Sequence, residues 1–116
     1  MTDRAQPQPE ELPATYRAFV ERFPVLAESH AAANRSVVDG GPLDEKSCEF
    51  VKIALCLGAG LESALKAHVR RARALGASMD EIEQVVALGM TTLGWSRTVA
   101  GWKWAHDQEG RDAPDR

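Results

Sequence analysis

Little in this 116-residue chain could staple it, anchor it in a bilayer or draw it to a polyanion. Its two cysteines, Cys48 and Cys56, are too few for a disulfide scaffold. On one helix they would stand about 12 Å apart, beyond the roughly 7 Å that a bridge tolerates. No apolar run approaches the ~20 residues needed to span a membrane. The opening Met1-Thr2-Asp3-Arg4 leads into Gln and Pro rather than an apolar signal core, so a cytoplasmic location off the membrane is expected. A basic excess is also missing. Lys+Arg of 14 against Asp+Glu of 17 gives a net charge of −3, which removes the electrostatic case for nucleic acid or anionic lipid as a partner. No phosphate-binding glycine loop is present, since Gly58-Ala59-Gly60 lacks both a preceding strand and the Gly-Lys-Ser/Thr that would follow. His30, His68 and His106 are far apart in sequence, and no metal or other cofactor is expected.

Proline is absent from Leu43 to Ala113, so nothing in that stretch would break a helix by lacking an N–H. The length suits a single domain over 1–116, with mobile polar tails over 1–9 and 108–116. Strand-like alternation is missing, and the sequence reads as all-α, with about six helices. Pro13 to Phe23 forms the first, and Pro24 begins a second that ends near Val38, before Asp39-Gly40-Gly41-Pro42. Asp44 is placed as the N-cap of a third helix through Cys48, Val51, Leu55 and Cys56. That helix is apolar on nearly every side in its second half, the pattern of a central, buried element. After Gly58 and Gly60 a fourth helix carries Leu65, His68, Val69 and Ala72 on one stripe, and Gly76 suits its C-terminal end. Ser78-Met79-Asp80-Glu81 is a capping box for a fifth helix running toward Met90. Gly94 interrupts it, and Ser96 is placed as the cap of a sixth, with Val99, Trp102 and His106 on one face. Short turns make the central helices antiparallel hairpins.

Two polar residues sit on apolar stripes. His68 lies among Leu65, Val69 and Ala72, where a histidine is most often a core residue. Glu49 lies beside Phe50 and four residues before Ile53, where a carboxylate needs a partner. Nineteen residues separate them, with the glycine turn roughly midway, so an antiparallel hairpin brings them to similar heights. A carboxylate that orients an imidazole makes a proton donor or acceptor tunable near neutral pH.

The stretch Pro42-Leu43-Asp44-Glu45-Lys46-Ser47-Cys48-Glu49-Phe50-Val51, followed by Ala67-His68-Val69, Gly76-Ala77-Ser78 and Glu81-Ile82, resembles the carboxymuconolactone decarboxylase family. That superfamily also contains the alkylhydroperoxidase D-type peroxidases, and the resemblance implies their helical fold. In the peroxidase branch a glutamate is followed twelve residues later by Cys-x-x-Cys-x-x-x-His. Counting from Glu49 puts His68 in register, but Leu61 and Ala64 stand at the two cysteine positions. The dithiol chemistry should therefore not carry over.

The resemblance implies that Glu49 and His68 form a catalytic site. It implies a cofactor-independent lyase or proton-transfer enzyme acting on a small carboxylated lactone or related acid. A thiol peroxidase using Cys56 or Cys48, and a non-catalytic small-ligand-binding oligomer, are the alternatives. An anionic substrate needs a cation, for which Lys52, Arg71 and Arg97 are the candidates. Self-association into a homo-oligomer, a hexamer or trimer, completes the expectation.

Overall fold

The protein is described by a computed structural model over residues 14–112, with side chains to residue 107. It divides into two compact units, Met1–Asp44 and Glu45–Arg116. The expected tail over 1–9 lies outside the described residues. At the other end, the backbone of the last helix continues beyond the expected fraying point at 108 and reaches Asp112.

In the first unit, α1 (Ala14–Arg22) and α2 (Pro24–Asp39) meet at Phe23. Proline in the first turn of α2 costs no hydrogen bond, because the N–H it lacks would be unpaired there anyway. Phe23 packs its ring 5.5 Å from that of Phe19, and the Arg22 guanidinium lies 4.6 Å from the Phe23 ring centre. Gly40 closes α2 by donating to the Val37 carbonyl at 3.3 Å.

The second unit contains α3 (Glu45–Ala59), α4 (Glu62–Ala74), α5 (Met79–Ala87), α6 (Met90–Leu93) and α7 (Trp95–Asp112). The expected all-helical fold is what the chain adopts, with no strand among the described residues. The α3–α4 turn is a Schellman motif: Leu61 N–H donates to the Cys56 carbonyl at 2.9 Å and Gly60 N–H to that of Leu57 at 3.3 Å. Gly60 has φ +74°, and the Arg97 guanidinium lies against the place a Cβ would occupy, so a side chain there meets both strain and a collision. Gly76 ends α4 with the same bonding pattern, Ala77 to Ala72 and Gly76 to Arg73. The expected capping box is present, with Ser78 and Glu81 exchanging two 3.0 Å bonds.

Three details differ from expectation. Gly94, not Ser96, occupies the cap position of α7, since its carbonyl accepts from Thr98 N–H at 3.3 Å. The expected fifth helix is divided into α5 and α6. Leu88 and Gly89 keep right-handed helical angles, but Gly89 N–H bonds to Val86, three residues back, and tightens the turn. Finally, α3 is central but not buried all round, for Val51 and Leu55 are 47% and 65% exposed. Only one side of α3 packs on α4, α5 and α7.

That packed side builds the core. Ile53, Leu57, Leu65, Val69, Met79, Ile82 and Val86 are at most 1% exposed. Burying a side chain of this kind contributes about 1.5–3 kcal/mol. Leu57 reaches α7 closely enough that a Cβ on Gly101 would collide with it, so that glycine sets the approach of the two helices.

Candidate active site

Glu49 projects from the second turn of α3, four residues before Ile53 and seven before Cys56, on the side that packs inward. It is 8% exposed, an unusual position for a carboxylate. His68 stands on α4 between Leu65, Val69 and Ala72, each at 0% exposure. The structure brings the two together. His68 Nδ1 lies 2.7 Å from Glu49 Oε1, and the side chains are 15% and 10% exposed. An ionised carboxylate only accepts, so Nδ1–H is the donor and a neutral ring carries its lone pair on Nε2. That second nitrogen has no hydrogen-bond partner among the described residues. The pairing therefore satisfies two groups that would otherwise be costly on apolar surfaces, and it leaves one imidazole nitrogen available for proton exchange.

The thiols are differently placed. Neither forms a disulfide, with Cys56 buried and Cys48 half-buried. Burial, and then the negative charge of Glu49, push the Cys56 thiol above its ordinary value, which keeps it protonated at neutral pH. Leu61 and Ala64 occupy the turn and first helical residues between Cys56 and His68, so no second sulfur stands there.

The three cation candidates separate. Lys52 and Arg71 are each half-buried and lie one turn beyond Glu49 and His68 on their own helices. Arg97 is engaged elsewhere. Its guanidinium donates to the Leu57 and Gly58 carbonyls at 3.0 and 2.9 Å, closing the C-terminal end of α3. Leu57 is eight residues beyond Glu49, about 12 Å along the helix axis. The structure thus gives Arg97 a capping task at the end of α3.

A second glutamate–histidine pair escaped the reading of the sequence. His106 Nε2 on α7 lies 2.7 Å from Glu83 Oε2 on α5, its Nδ1 lies 2.8 Å from the Trp102 carbonyl, and its ring centre is 4.5 Å from that of Trp102. Their exposures, 25% and 17%, exceed those of the first pair. The only sequence signal was a histidine on the apolar face of α7.

Two apolar grooves open on the second unit. A groove of about 380 Å³ runs between α3, α5 and α6, lined by Phe50, Val51, Leu57, Val85, Leu88 and Leu93 among others. A second, of about 490 Å³, is lined by Ala87, Met90, Trp95, Thr98, Val99 and Trp102. Neither groove is lined by Glu49 or His68. Among the described residues, no three His, Cys, Asp or Glu side chains come together in a metal-binding group, and no helix is long and apolar enough to cross a membrane.

Fold and site together define a class: a helical protein whose two-helix hairpin pairs a buried carboxylate with an imidazole. The sequence pattern of the carboxymuconolactone decarboxylase family matches residues 24–107. The chain belongs to that family. The match extends beyond Pro42 to Trp104, where the resemblance was read, and takes in α2. No curated protein and no solved structure matches the chain.

Proposed function

We propose that the protein is a cofactor-independent lyase or related proton-transfer enzyme for a small carboxylated lactone, with Glu49 and His68 as its acid–base couple. The observation that carries this reading is the 2.7 Å contact that fixes His68 by one nitrogen and leaves the other open. In γ-carboxymuconolactone the departing carboxylate sits on the γ-carbon of an unsaturated lactone. Breaking that C–C bond releases CO2 and moves its electron pair through the ring double bond onto the lactone carbonyl. The resulting anion must be stabilised and protonated on carbon. A proton held at His68 Nε2 serves the second need, while Glu49 keeps the ring oriented and balances its charge when it is protonated.

The experiment is direct. Purified protein is incubated with γ-carboxymuconolactone, and CO2 release is followed alongside loss of the lactone. Turnover by the wild type that falls by about 10²–10⁴ in His68→Gln supports the reading. No turnover, or turnover indifferent to His68, overturns it. The peroxidase alternative is tested by peroxide consumption with a thiol reductant, lost on Cys56→Ser. A protonated Cys56 without a neighbouring sulfur disfavours that outcome.

The same proposal includes self-association. Leu55, Leu88, Trp95 and Val99 are between 56% and 72% exposed, which leaves apolar surface of the kind that subunit contacts bury. A hexamer or trimer would cover it. Light scattering that returned the monomer mass at micromolar concentration would overturn the assembly.

A further inference from the structure

Arg71 is the unusual cation of the α3–α4 hairpin. The other lysines and arginines of these two helices are engaged. Lys46 bonds to Glu81, Lys66 to Glu62 and Arg73 to the Ala77 carbonyl, while Lys52 and Arg70 also make interactions. The Arg71 guanidinium has no hydrogen bond or ion pair among the described residues, and its Nε is buried without an acceptor. A buried donor of a charged group left without an acceptor is unfavourable, and a carboxylate matches the guanidinium fork.

Helix arithmetic places this side chain beside the Glu49–His68 pair. Three residues along a helix advance about 4.5 Å and turn about 60° short of a full circle. On antiparallel neighbours that turn carries Lys52 from Glu49, and Arg71 from His68, to the same side of the seam. Ile53, Leu65 and Ala72 lie on the opposite side, each at 0% exposure in the core. Arg71 therefore flanks the couple on the side away from the core, one turn beyond His68.

Building on the acid–base reading above, we propose that Arg71 anchors a carboxylate of the substrate that is retained through the reaction. It would select small acids that keep a carboxylate beside the carbon that exchanges its proton with His68, over uncharged lactones of the same shape.

The test uses the full chain and two probes, γ-butyrolactone bearing a γ-carboxymethyl group, which carries the retained carboxylate without the departing one, and the parent γ-butyrolactone as its uncharged counterpart. Binding is read from the ring C–H resonances of His68, assigned by their loss in His68→Gln. The acid is expected to move those resonances saturably and the parent lactone to bind at least tenfold more weakly. Arg71→Gln should weaken the acid by about ten- to hundred-fold, Arg71→Lys by less, and Arg70→Gln should leave it unchanged. If the acid moves His68 equally in wild type and Arg71→Gln, the anchor is overturned while the acid–base reading stands. If it fails to move His68 in the wild type, both fall. Should Arg71→Gln be unfolded by circular dichroism, Arg71→Lys decides, since an unchanged affinity there and an unchanged preference over the parent lactone would overturn a fork-specific anchor.

Discussion

Two glutamate–histidine pairs in one small helical unit, each with a 2.7 Å contact, invite the same interpretation and do not support it equally. In the first, Glu49 takes Nδ1 of His68 and the opposite nitrogen has no partner among the described residues. In the second, Glu83 takes Nε2 of His106 while the Trp102 carbonyl takes Nδ1. A carbonyl and an ionised carboxylate both only accept, so the two contacts of His106 require a proton on each ring nitrogen or one held by Glu83. A ring bound at both ends joins two helices, whereas a ring bound at one end can pass a proton on. Burial points the same way, because the first pair is the more enclosed of the two. The proposed role of the first pair therefore rests on the number of engaged nitrogens rather than on the presence of a carboxylate beside a histidine.

The largest effect that would break this comparison is on turnover. His68→Gln is expected to reduce kcat/KM on γ-carboxymuconolactone by about 10²–10⁴. His106→Gln should change it by no more than about twofold. Steady-state assays of the two variants, with folding checked by circular dichroism, decide the matter. Equal losses would make the second pair part of the site and remove the distinction.

Stability gives the next largest contrast. Removing one partner strands the other, at about 1–3 kcal/mol for a buried polar group. Glu49→Leu should therefore destabilise the protein in urea unfolding by more than Glu83→Leu, because Glu49 and His68 are less exposed. Adding His68→Leu to Glu49→Leu should recover part of the loss, since two apolar groups leave nothing unpaired. A double variant whose loss merely adds the two single losses would show that the pair contributes no coupling. Restored stability with no turnover would be the mark of a site maintained for chemistry.

The first pair was legible in the sequence because a tight turn fixes heights. Gly60 and Leu61 close α3 onto α4 with a Schellman motif, so residues at matching distances from the turn must meet, and their apolar neighbours say which side they face. The capping box at Ser78 and the glycine at residue 76 were legible for the same reason, since each is a local device completed within a few residues. The second pair was not legible. Glu83 and His106 belong to helices separated by α6 and the turn at Gly94, and no short connection sets their relative height. The capping task of Arg97 was not legible because its acceptors, the carbonyls of Leu57 and Gly58, belong to a helix forty residues earlier and exist as acceptors only once α3 has ended there. The exposed Val51 and Leu55 illustrate a further limit: an apolar pattern tells which surface avoids water, not whether the same chain or another copy covers it.

A smaller effect concerns the thiol near the first pair. Burial and the Glu49 charge both hold the Cys56 thiol above its usual value, so iodoacetamide at neutral pH should modify it slowly. Glu49→Gln removes the second cause and keeps most of the first. The alkylation rate of Cys56 in that variant, read by mass spectrometry of the digested protein, should rise by a few-fold. An unchanged rate would mean that burial alone controls the thiol.

The smallest expected difference lies in the response to acid of the ion pairs beside each site. Lys46, one turn before Glu49, reaches across to Glu81 on α5 at 3.1 Å, whereas Lys103 reaches Asp107 within α7 at 2.9 Å. Both carboxylates are held below their ordinary values, Glu81 first by the Ser78 backbone N–H and then by Lys46, and Asp107 first by Lys103. A lowered value in the folded state means that the folded protein holds the anion more firmly than the unfolded chain does. The stabilisation is thus present above the ordinary carboxylate value and is lost as pH falls through the lowered one. Both contacts are exposed and individually weak, but they differ in what they join. Glu81 ties α5 to α3 and completes a cap, while Asp107 ties one turn of α7 to the next. Glu81→Gln should therefore lower the neutral-pH Tm slightly more than Asp107→Asn, and the difference should vanish as the pH approaches the acid limit. Thermal melts of both variants across that range would show the two curves converging. Parallel curves would mean that the neutral cap bond, rather than the charge on Glu81, supplies what the first region gains.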